Sequence, residues 1–409
     1  MRLHGNGIVA QSGGPTAVIN NSVYGVIREW QKTDGFGTLF GGLHGIKGIL
    51  QEDFINLSAQ QSSVIEGLRY TPGAALGSCR HKLKEEEYAT LLQIFKKRNI
   101  RFFFYVGGND SMDTANKVHR LAMKENFDLK VIGVPKTIDN DLPFTDHCPG
   151  YGSAAKYVAT TVMETGIDLK DLLSSNKVTI LEAMGRNTGW LAAAAALAKR
   201  DEDDVPHLIY LPEKPFKRER FLADVEHCYR KIGHVYVVVS EGVTDENGCY
   251  LSADSCRDAF GHAKLGGIAD ALKTMVEQEL RLKVRSNVLG TTQRAAMHYA
   301  SRTDADEACL VGREAVRLAA QEMSGLMVTL VREDKRDYLT TPGCVELRRV
   351  ANTEKKFPLD WITEAGNFVT SRFLDYARPL IAGEIQVPTK NGLPDYVRLR
   401  LGEVKTKVS

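Results

Sequence analysis

VIGVPKTIDND, Val131 to Asp141, divides at its proline into an apolar half and a polar half. Val131 to Val134 is short, apolar and closed by Pro135, which suits a buried parallel strand better than a long helix. The proline holds the residue before it in an extended or turn conformation. Beyond it, Lys136 to Asp141 gathers one lysine, one threonine hydroxyl and two carboxylates. In an extended segment, residues two apart point the same way, so Asp139 and Asp141 are expected to face one metal ion or one transferable proton.

Moving outward, the same pattern recurs. Gly7 to Ala10 reads as a strand, and Gln11-Ser12-Gly13-Gly14-Pro15-Thr16 as a tight turn into a helix over Ala17 to Trp30. Glycines there let backbone N–H groups approach an anion at a helix N-terminus. Glu85 to Lys97 carries a helical stripe of Tyr88, Leu91, Leu92, Ile94 and Phe95, and RFFFYV, Arg101 to Val106, reads as a second buried strand. It ends in Gly107-Gly108-Asn109-Asp110-Ser111, before a helix over Ser111 to Met123. Asp110 either caps that helix or stands beside a phosphate cradle, where its charge repels phosphate unless a cation intervenes. Between these stretches a small-residue loop, Thr71 to Arg80, closes on an arginine able to meet a phosphate with several donors. Polar loops at successive strand ends predict an open α/β sheet whose ligands lie outside the carboxyl ends of its strands.

The second half repeats the alternation. A helix is expected over Gly152 to Glu164 and a strand over Val178 to Glu182, ending in Ala183-Met184-Gly185-Arg186-Asn187-Thr188-Gly189-Trp190. The alanine run Ala192 to Ala198 reads as a helix, Leu208 to Leu211 and Val235 to Val239 as strands, the latter followed by Ser240-Glu241-Gly242. Glu277 to Lys283 is expected in a helix, Arg285 to Arg294 as a strand and turn, and Ala315 to Met323 in a helix. Met327 to Val350 returns to the sheet. The last segment, with Pro358, Pro379, Pro388 and Pro394, reads as a flap or an oligomer contact.

At 409 residues the chain exceeds one ordinary core, which predicts two closely joined lobes. Hydrophobic residues at 43% and charged residues at 25% suit a globular protein, and a net charge of +2 predicts neither nucleic-acid nor membrane attraction. The cysteines, 7 without a CxxC pair, argue against a disulfide framework or zinc site. The start lacks a signal-peptide pattern, so a cytoplasmic protein is expected.

Taken in order, these loops resemble the phosphofructokinase family over roughly residues 5–325: SGG at Ser12 to Gly14, LGSCR ending at Arg80, GGNDS at Gly107 to Ser111, PKTIDND at Pro135 to Asp141, MGR at Met184 to Arg186, SEG at Ser240 to Gly242 and LGTTQR at Leu289 to Arg294. The resemblance implies an α/β fold of two Rossmann-like lobes with mainly parallel sheets: residues 1–150 with about 295–350 for the phosphoryl donor, 151–294 for the sugar phosphate, and 351–409 unassigned. It implies that Asp139 takes the proton from the 1-hydroxyl of fructose 6-phosphate, with Thr137, Ile138 and Asp139 on that sugar. Met184, Gly185 and Arg186 would surround it, Glu241 would meet its hydroxyls, and Arg285, Thr291 and Arg294 would serve its 6-phosphate. Gly14 and Arg80 would contact the donor, and Asn109 and Asp141 would form the environment of Mg²⁺. Family members are at least dimers, so a homodimer or higher homo-oligomer is implied.

Two positions bear on the donor. ATP-using members have glycine where this chain has Asp110 and Lys136; the pair marks members that use pyrophosphate. Glycolytic phosphoryl transfer from pyrophosphate, running both ways, is therefore the implied reaction. An ATP-dependent member and a non-catalytic regulatory subunit are the alternatives. The filled glycine positions count against the first, and the presence of Asp139, Arg186, Glu241 and Arg294 against the second. The chain departs from the family pattern at Asn109, usually a metal-binding aspartate, at Thr291, usually histidine or tyrosine, and at Lys177, where many members have an arginine that reaches the neighbouring subunit's sugar phosphate.

Overall fold

In the computed structural model, residues 4–251 and 266–400 are described in full, and 254–257 and 263–264 by their backbone alone. The chain forms two compact units. One comprises the residues up to Gly150, Arg294–Glu354 and the described residues from Gly383 onward; the other comprises Tyr151–Gln293 and Lys355–Ala382. The proline-punctuated C-terminal segment is thus shared between them.

In the first unit the strand Ile100–Gly107 shows why the apolar runs become sheet. Its side chains alternate: Phe102, Phe104 and Val106 enter one core, Phe103 and Tyr105 another. The first core is closed by the helices Ile19–Trp30 and Arg302–Ala320, the second by Glu85–Lys97 and Asn109–Lys124. A strand covered on both faces has no polar side, which is why the run is continuously apolar. Truncating the fully buried Phe103 to alanine would cost about 3–5 kcal/mol, from lost burial and the cavity left behind.

Seven strands lie in the order Thr340–Glu346, Leu326–Arg332, Lys130–Pro135, Ile100–Gly107, Gly5–Gln11, Phe36–Gly42 and Phe54–Asn56. The inner five are parallel, and the two edge strands pair antiparallel. Two glycines let the flanking helices touch backbone to backbone. A Cβ on Gly25 would stand 2.2 Å from Cys309 O, and one on Gly312 would stand 2.1 Å from Ser22 O.

The second unit holds a parallel sheet ordered Val284–Val288, Val178–Ala183, Val235–Ser240 and Leu208–Tyr210. Val178, Ile180, Val235, Val237 and Val239 pack on Phe221, Val225, Leu272 and Val276 of two helices. Trp190 gathers Tyr151, Phe357, Trp361 and Tyr376, tying residues 355–382 to this unit.

Several helix limits differ from those the sequence suggests. The first helix starts at Ile19 rather than Ala17. The helix expected over Glu277 to Lys283 is Ile268–Glu279, after which Arg281 turns left-handed at φ 56°. The one expected to reach Met323 ends at Ala320, with Glu322 at φ 63°. The alanine run tightens from an α-helix, Trp190–Ala194, to a 3-10 turn, Ala195–Ala198. Gly108, not Asp110, caps the helix after Ile100–Gly107, and Asp110 lies in its first turn, where a carboxylate suits the helix dipole. The free thiols include Cys79 and Cys148, while the side chain of Cys256 lies outside the described residues.

Candidate functional site

Three neighbouring strands of the larger sheet end together. Ser12 N donates to Val106 O at 2.9 Å, and Lys136 N donates to Gly107 O at 3.1 Å. The turns that follow Gly5–Gln11, Ile100–Gly107 and Lys130–Pro135 therefore form one surface at the carboxyl ends of parallel strands, where an open α/β sheet places its ligand.

Lys136 lies at its centre, 3% exposed, with Nζ donating to Gly14 O across 2.7 Å. Burial pushes its proton affinity down, and Arg294 and Arg80 push the same way; Asp139 and Asp141 oppose them, and its pKa settles at about 8. Gly13 is in the left-handed region that favours glycine, and two cations close over the turn. A Cβ at Gly13, which has φ 76°, would stand 3.3 Å from Lys136 Nζ, and one at Gly14 would stand 2.9 Å from Arg294 Nη1. A lysine and an arginine converging on a glycine turn, with a second arginine within electrostatic reach, make a place for a polyanion.

The two aspartates are not presented by an extended segment. The chain bends at Ile138 and Asp139, and Asn140 is left-handed at φ 54°. Thr137 Oγ1 accepts from Asp139 N at 3.1 Å, while Asn140 Oδ1 accepts from Cys148 N at 2.9 Å, so side chains fix the bend. Asp141 Oδ1 is closed off from solvent with no hydrogen-bond partner. Burial raises the Asp141 pKa and the charge of Glu354 adds to the rise, while hydrogen bonds to the carboxyl from its own backbone N–H and from Thr137, and the charge of Lys136, oppose it. A buried carboxylate oxygen in that state fits a hard cation such as Mg²⁺.

Asn109 has both polar atoms on backbone: Oδ1 accepts from Asn352 N at 2.7 Å, and Nδ2 donates to Thr353 O. Asp110 is exposed beside it. Arg80, also exposed, ends a loop held by a buried amide pair. Gln11 Nε2 donates to Asn20 Oδ1 at 3.0 Å, Gln11 Oε1 accepts from Leu76 N at 2.9 Å, and Asn20 Nδ2 donates to Thr71 O at 2.7 Å. Ser78 Oγ then donates to Gly13 O at 2.6 Å, joining the arginine loop to the glycine turn.

In the second unit, the loops after Val178–Ala183 and Val235–Ser240 interlock. Ser240 Oγ donates to Gly185 O at 2.6 Å, Gly185 N donates to Glu241 Oε1 at 3.4 Å, and Met184 N donates to Gln293 Oε1 at 3.1 Å. Gly242 has no alternative, since a Cβ there would stand 1.9 Å from Arg186 O. Met184, Gly185, Arg186 and Glu241 thus share one loop cluster, and Thr291 is exposed in the 3-10 turn Gly290–Arg294.

Arg285 does not join them. It pairs in register with Thr179, at the opposite end of the sheet from Ala183, a separation of about 13 Å for four strand residues. There it meets Asp168 at 2.8 Å. Lys177 lies at the same end, its N donating to Lys283 O at 2.9 Å.

Sequence reasoning overlooks Gln11, Asn20 and Glu354. The first two carry a signal, as amides in positions where the strand and helix pattern calls for apolar residues; both are fully buried. Glu354 carries none, because only the fold after Val350 puts its charge within electrostatic range of Asp141.

The family model for phosphofructokinase matches residues 6–319. A pyrophosphate–fructose 6-phosphate 1-phosphotransferase of Halomonas elongata is 44% identical, over 98% of this chain and 98% of its own length. One of Methylococcus capsulatus is 43% identical, over 96% of each chain. The crystal structure of pyrophosphate-dependent phosphofructokinase from Marinobacter aquaeolei superimposes with a TM-score of 0.91 at 44% identity, over 99% of this chain and 98% of that one. With its glycine turn, lysine and aspartates at neighbouring strand ends, the chain belongs to the phosphofructokinase family.

Proposed function

We propose that the protein transfers a phosphoryl group from pyrophosphate to the 1-hydroxyl of fructose 6-phosphate, reversibly, giving fructose 1,6-bisphosphate and phosphate. The observation that carries this reading is Lys136: its buried ammonium sits on Gly14 O at 2.7 Å, where it can neutralise a diphosphate held by the glycine turn and Arg80. The relatives named for pyrophosphate support it over an ATP donor.

Asp139 is assigned as the base. Its carboxylate takes the proton as the sugar's 1-oxygen forms a bond to phosphorus and the phosphoanhydride bond breaks, the second phosphate leaving with the bridging electron pair. Thr137, Ile138, Met184, Gly185 and Arg186 are assigned to hold the sugar, Glu241 to accept from its hydroxyls, and Arg294 to meet its 6-phosphate. Mg²⁺ would supply charge neutralisation on the phosphoryl oxygens, with Asp141 as a residue that fits it. Arg285 and Lys177, at the far end of their sheet, are assigned to the sugar phosphate of a partner subunit in a homo-oligomer. Among the described residues no helix is long and apolar enough to cross a membrane.

The test is a coupled assay of the purified protein with Mg²⁺ and fructose 6-phosphate, offered pyrophosphate or ATP in turn. Turnover with pyrophosphate alone is expected; turnover with ATP alone would reverse the donor assignment.

A further inference from the structure

The loop that carries Met184, Gly185 and Arg186 is fastened at both ends. At its near end Ser240 Oγ donates to Gly185 O at 2.6 Å. Its far end is held by Glu213, in the turn after Leu208–Tyr210, the edge strand of the same sheet. Gly189 N donates to Glu213 Oε1 at 3.0 Å, and Phe357 N donates to that same oxygen at 3.1 Å. One carboxylate oxygen thus joins the end of the loop to a distant segment of the chain. That segment adds two bonds of its own: Lys356 Nζ donates to Asn187 O at 3.0 Å, and Lys355 O accepts from Trp190 Nε1 at 3.3 Å. Arg186 lies between the two fastenings.

Gly189 is suited to this contact, since a Cβ there would stand 2.8 Å from Glu213 Oε2 and 2.8 Å from Leu211 Cβ. Glu213 Oε2 is closed off from solvent and has no hydrogen-bond partner. Burial raises the Glu213 pKa, against the backbone N–H groups of Gly189, Phe357 and Glu213 itself and the charge of Lys356. A carboxyl oxygen buried without a partner is unfavourable, so an apolar side chain would serve packing better. What the carboxylate supplies is Oε1, an acceptor shared by two backbone N–H groups that have no side chain of their own to join them.

We propose that Glu213 is a positioning residue for the sugar phosphate: by clasping Gly189 N and Phe357 N with one oxygen, it fixes the loop that presents Arg186. This rests on the phosphoryl-transfer reading above, in which Arg186 holds fructose 6-phosphate. Glu213 acts through that loop, so its effect falls on the acceptor's binding and not on the donor's.

The test compares the parent with Glu213→Gln, Glu213→Asp and Glu213→Leu. Glu213→Gln keeps the acceptor and loses the charge, Glu213→Asp keeps the charge and withdraws the acceptor by a methylene, and Glu213→Leu removes both. The readouts are kcat, KM for each substrate, and the Kd of fructose 6-phosphate alone by calorimetry. Glu213→Asp and Glu213→Leu should raise KM and Kd for fructose 6-phosphate about tenfold or more, because a positioning group misplaced by about 1 Å costs up to about 10²-fold. KM for pyrophosphate should stay within about twofold of the parent, the donor being held elsewhere. Glu213→Gln should hold both sugar constants within about threefold of the parent, a neutral acceptor bonding less strongly than a charged one.

Sugar constants within about twofold of the parent in Glu213→Asp would overturn the proposal, as would a matching rise in KM for pyrophosphate, the mark of a general loss of structure. Glu213→Gln as weak as Glu213→Asp would also overturn it, since the shared acceptor would then not be what matters. If circular dichroism shows Glu213→Leu unfolded, Glu213→Asp and Glu213→Gln decide alone. A parent that neither turns over pyrophosphate with fructose 6-phosphate nor binds the sugar would bring down the phosphoryl-transfer reading itself, whereas an active parent with unchanged variants would bring down this inference alone.

Discussion

His147 and Glu307 meet through Nε2 and Oε2 at 2.6 Å, with both side chains withdrawn from water. The imidazole's other nitrogen faces Asp146 Oδ2 at 2.8 Å, and Arg332 reaches that same oxygen at 3.0 Å. Glu307 Oε1 accepts from Tyr338 Oη and Thr340 Oγ1, each at 2.7 Å. Burial alone would drive His147 to the neutral form, but the two carboxylates outweigh it and lift its pKa to about 9. The group pins the segment on which the Lys136 to Asp141 bend leans, where Thr137 N donates to Pro149 O at 3.2 Å and Cys148 N to Asn140 Oδ1 at 2.9 Å.

A pH dependence of stability follows from that pairing. A pKa raised on folding contributes stability that is fully present below the unfolded value of about 6.5 and is lost as pH rises through about 9. The span corresponds to roughly 3 kcal/mol. Urea midpoints measured from pH 6 to 9.5 should fall for the parent and vary much less for His147→Gln, which starts lower. Parallel profiles for the two proteins would exclude His147 as the group responsible.

Asp139→Asn should preserve the fold and abolish most turnover, because the amide is nearly isosteric and cannot accept a proton. A loss of about 10²-fold or more in kcat is expected for a base in proton transfer. Circular dichroism would check the fold. A variant within about tenfold of the parent, roughly 1.4 kcal/mol in barrier, would remove Asp139 from that role.

Lys136 should leave its own mark on the donor's pH profile. The free protein holds this ammonium at a pKa of about 8, so kcat/KM for pyrophosphate should fall as pH rises beyond that value and the cation is lost. Bound diphosphate favours the charged form, so kcat should break at higher pH. Pyrophosphate's own ionisation is common to all proteins tested, and Lys136→Met supplies the reference: slower, and without the added fall. Identical profile shapes in the parent and Lys136→Met would sink the assignment.

Strand Ile100–Gly107 is legible in RFFFYV because both of its faces are covered, leaving no polar position to confuse the period. The helix ends after Glu279 and Ala320 are not legible. Their stops come from Arg281 and Glu322 in left-handed conformations, and neither residue type announces such a turn. The presentation of Asp139 and Asp141 misleads for a tertiary reason: Asn140 bonds to Cys148 N, a contact across the loop that local alternation ignores. Arg285 reads from its motif as a site residue, but its register with Thr179 puts it at the other end of the sheet from Met184 and Glu241. Motif order carries residue identity and leaves strand polarity to the fold.

Donor choice is the last expectation. Lys136 N is bonded to Gly107 O at 3.1 Å, and Asp110 lies in the first turn of the helix that Gly108 caps, so both residues act from adjoining strand ends. If Asp110 blocks a nucleotide's α-phosphate by charge and bulk, Asp110→Gly should admit ATP weakly, since Lys136 still fills its own place. Lys136→Gly alone should cut the pyrophosphate reaction by at least about 10²-fold, about 2.7 kcal/mol for a phosphoryl-stabilising charge in a shielded site. Asp110→Gly with Lys136→Gly should shift the donor ratio toward ATP further than either change alone, because each removes a different obstacle. The measurement is kcat/KM for both donors in the parent and the three variants. Efficient ATP use by the parent, or a donor ratio in the double variant equal to the parent's, would mean that donor choice is set by other residues.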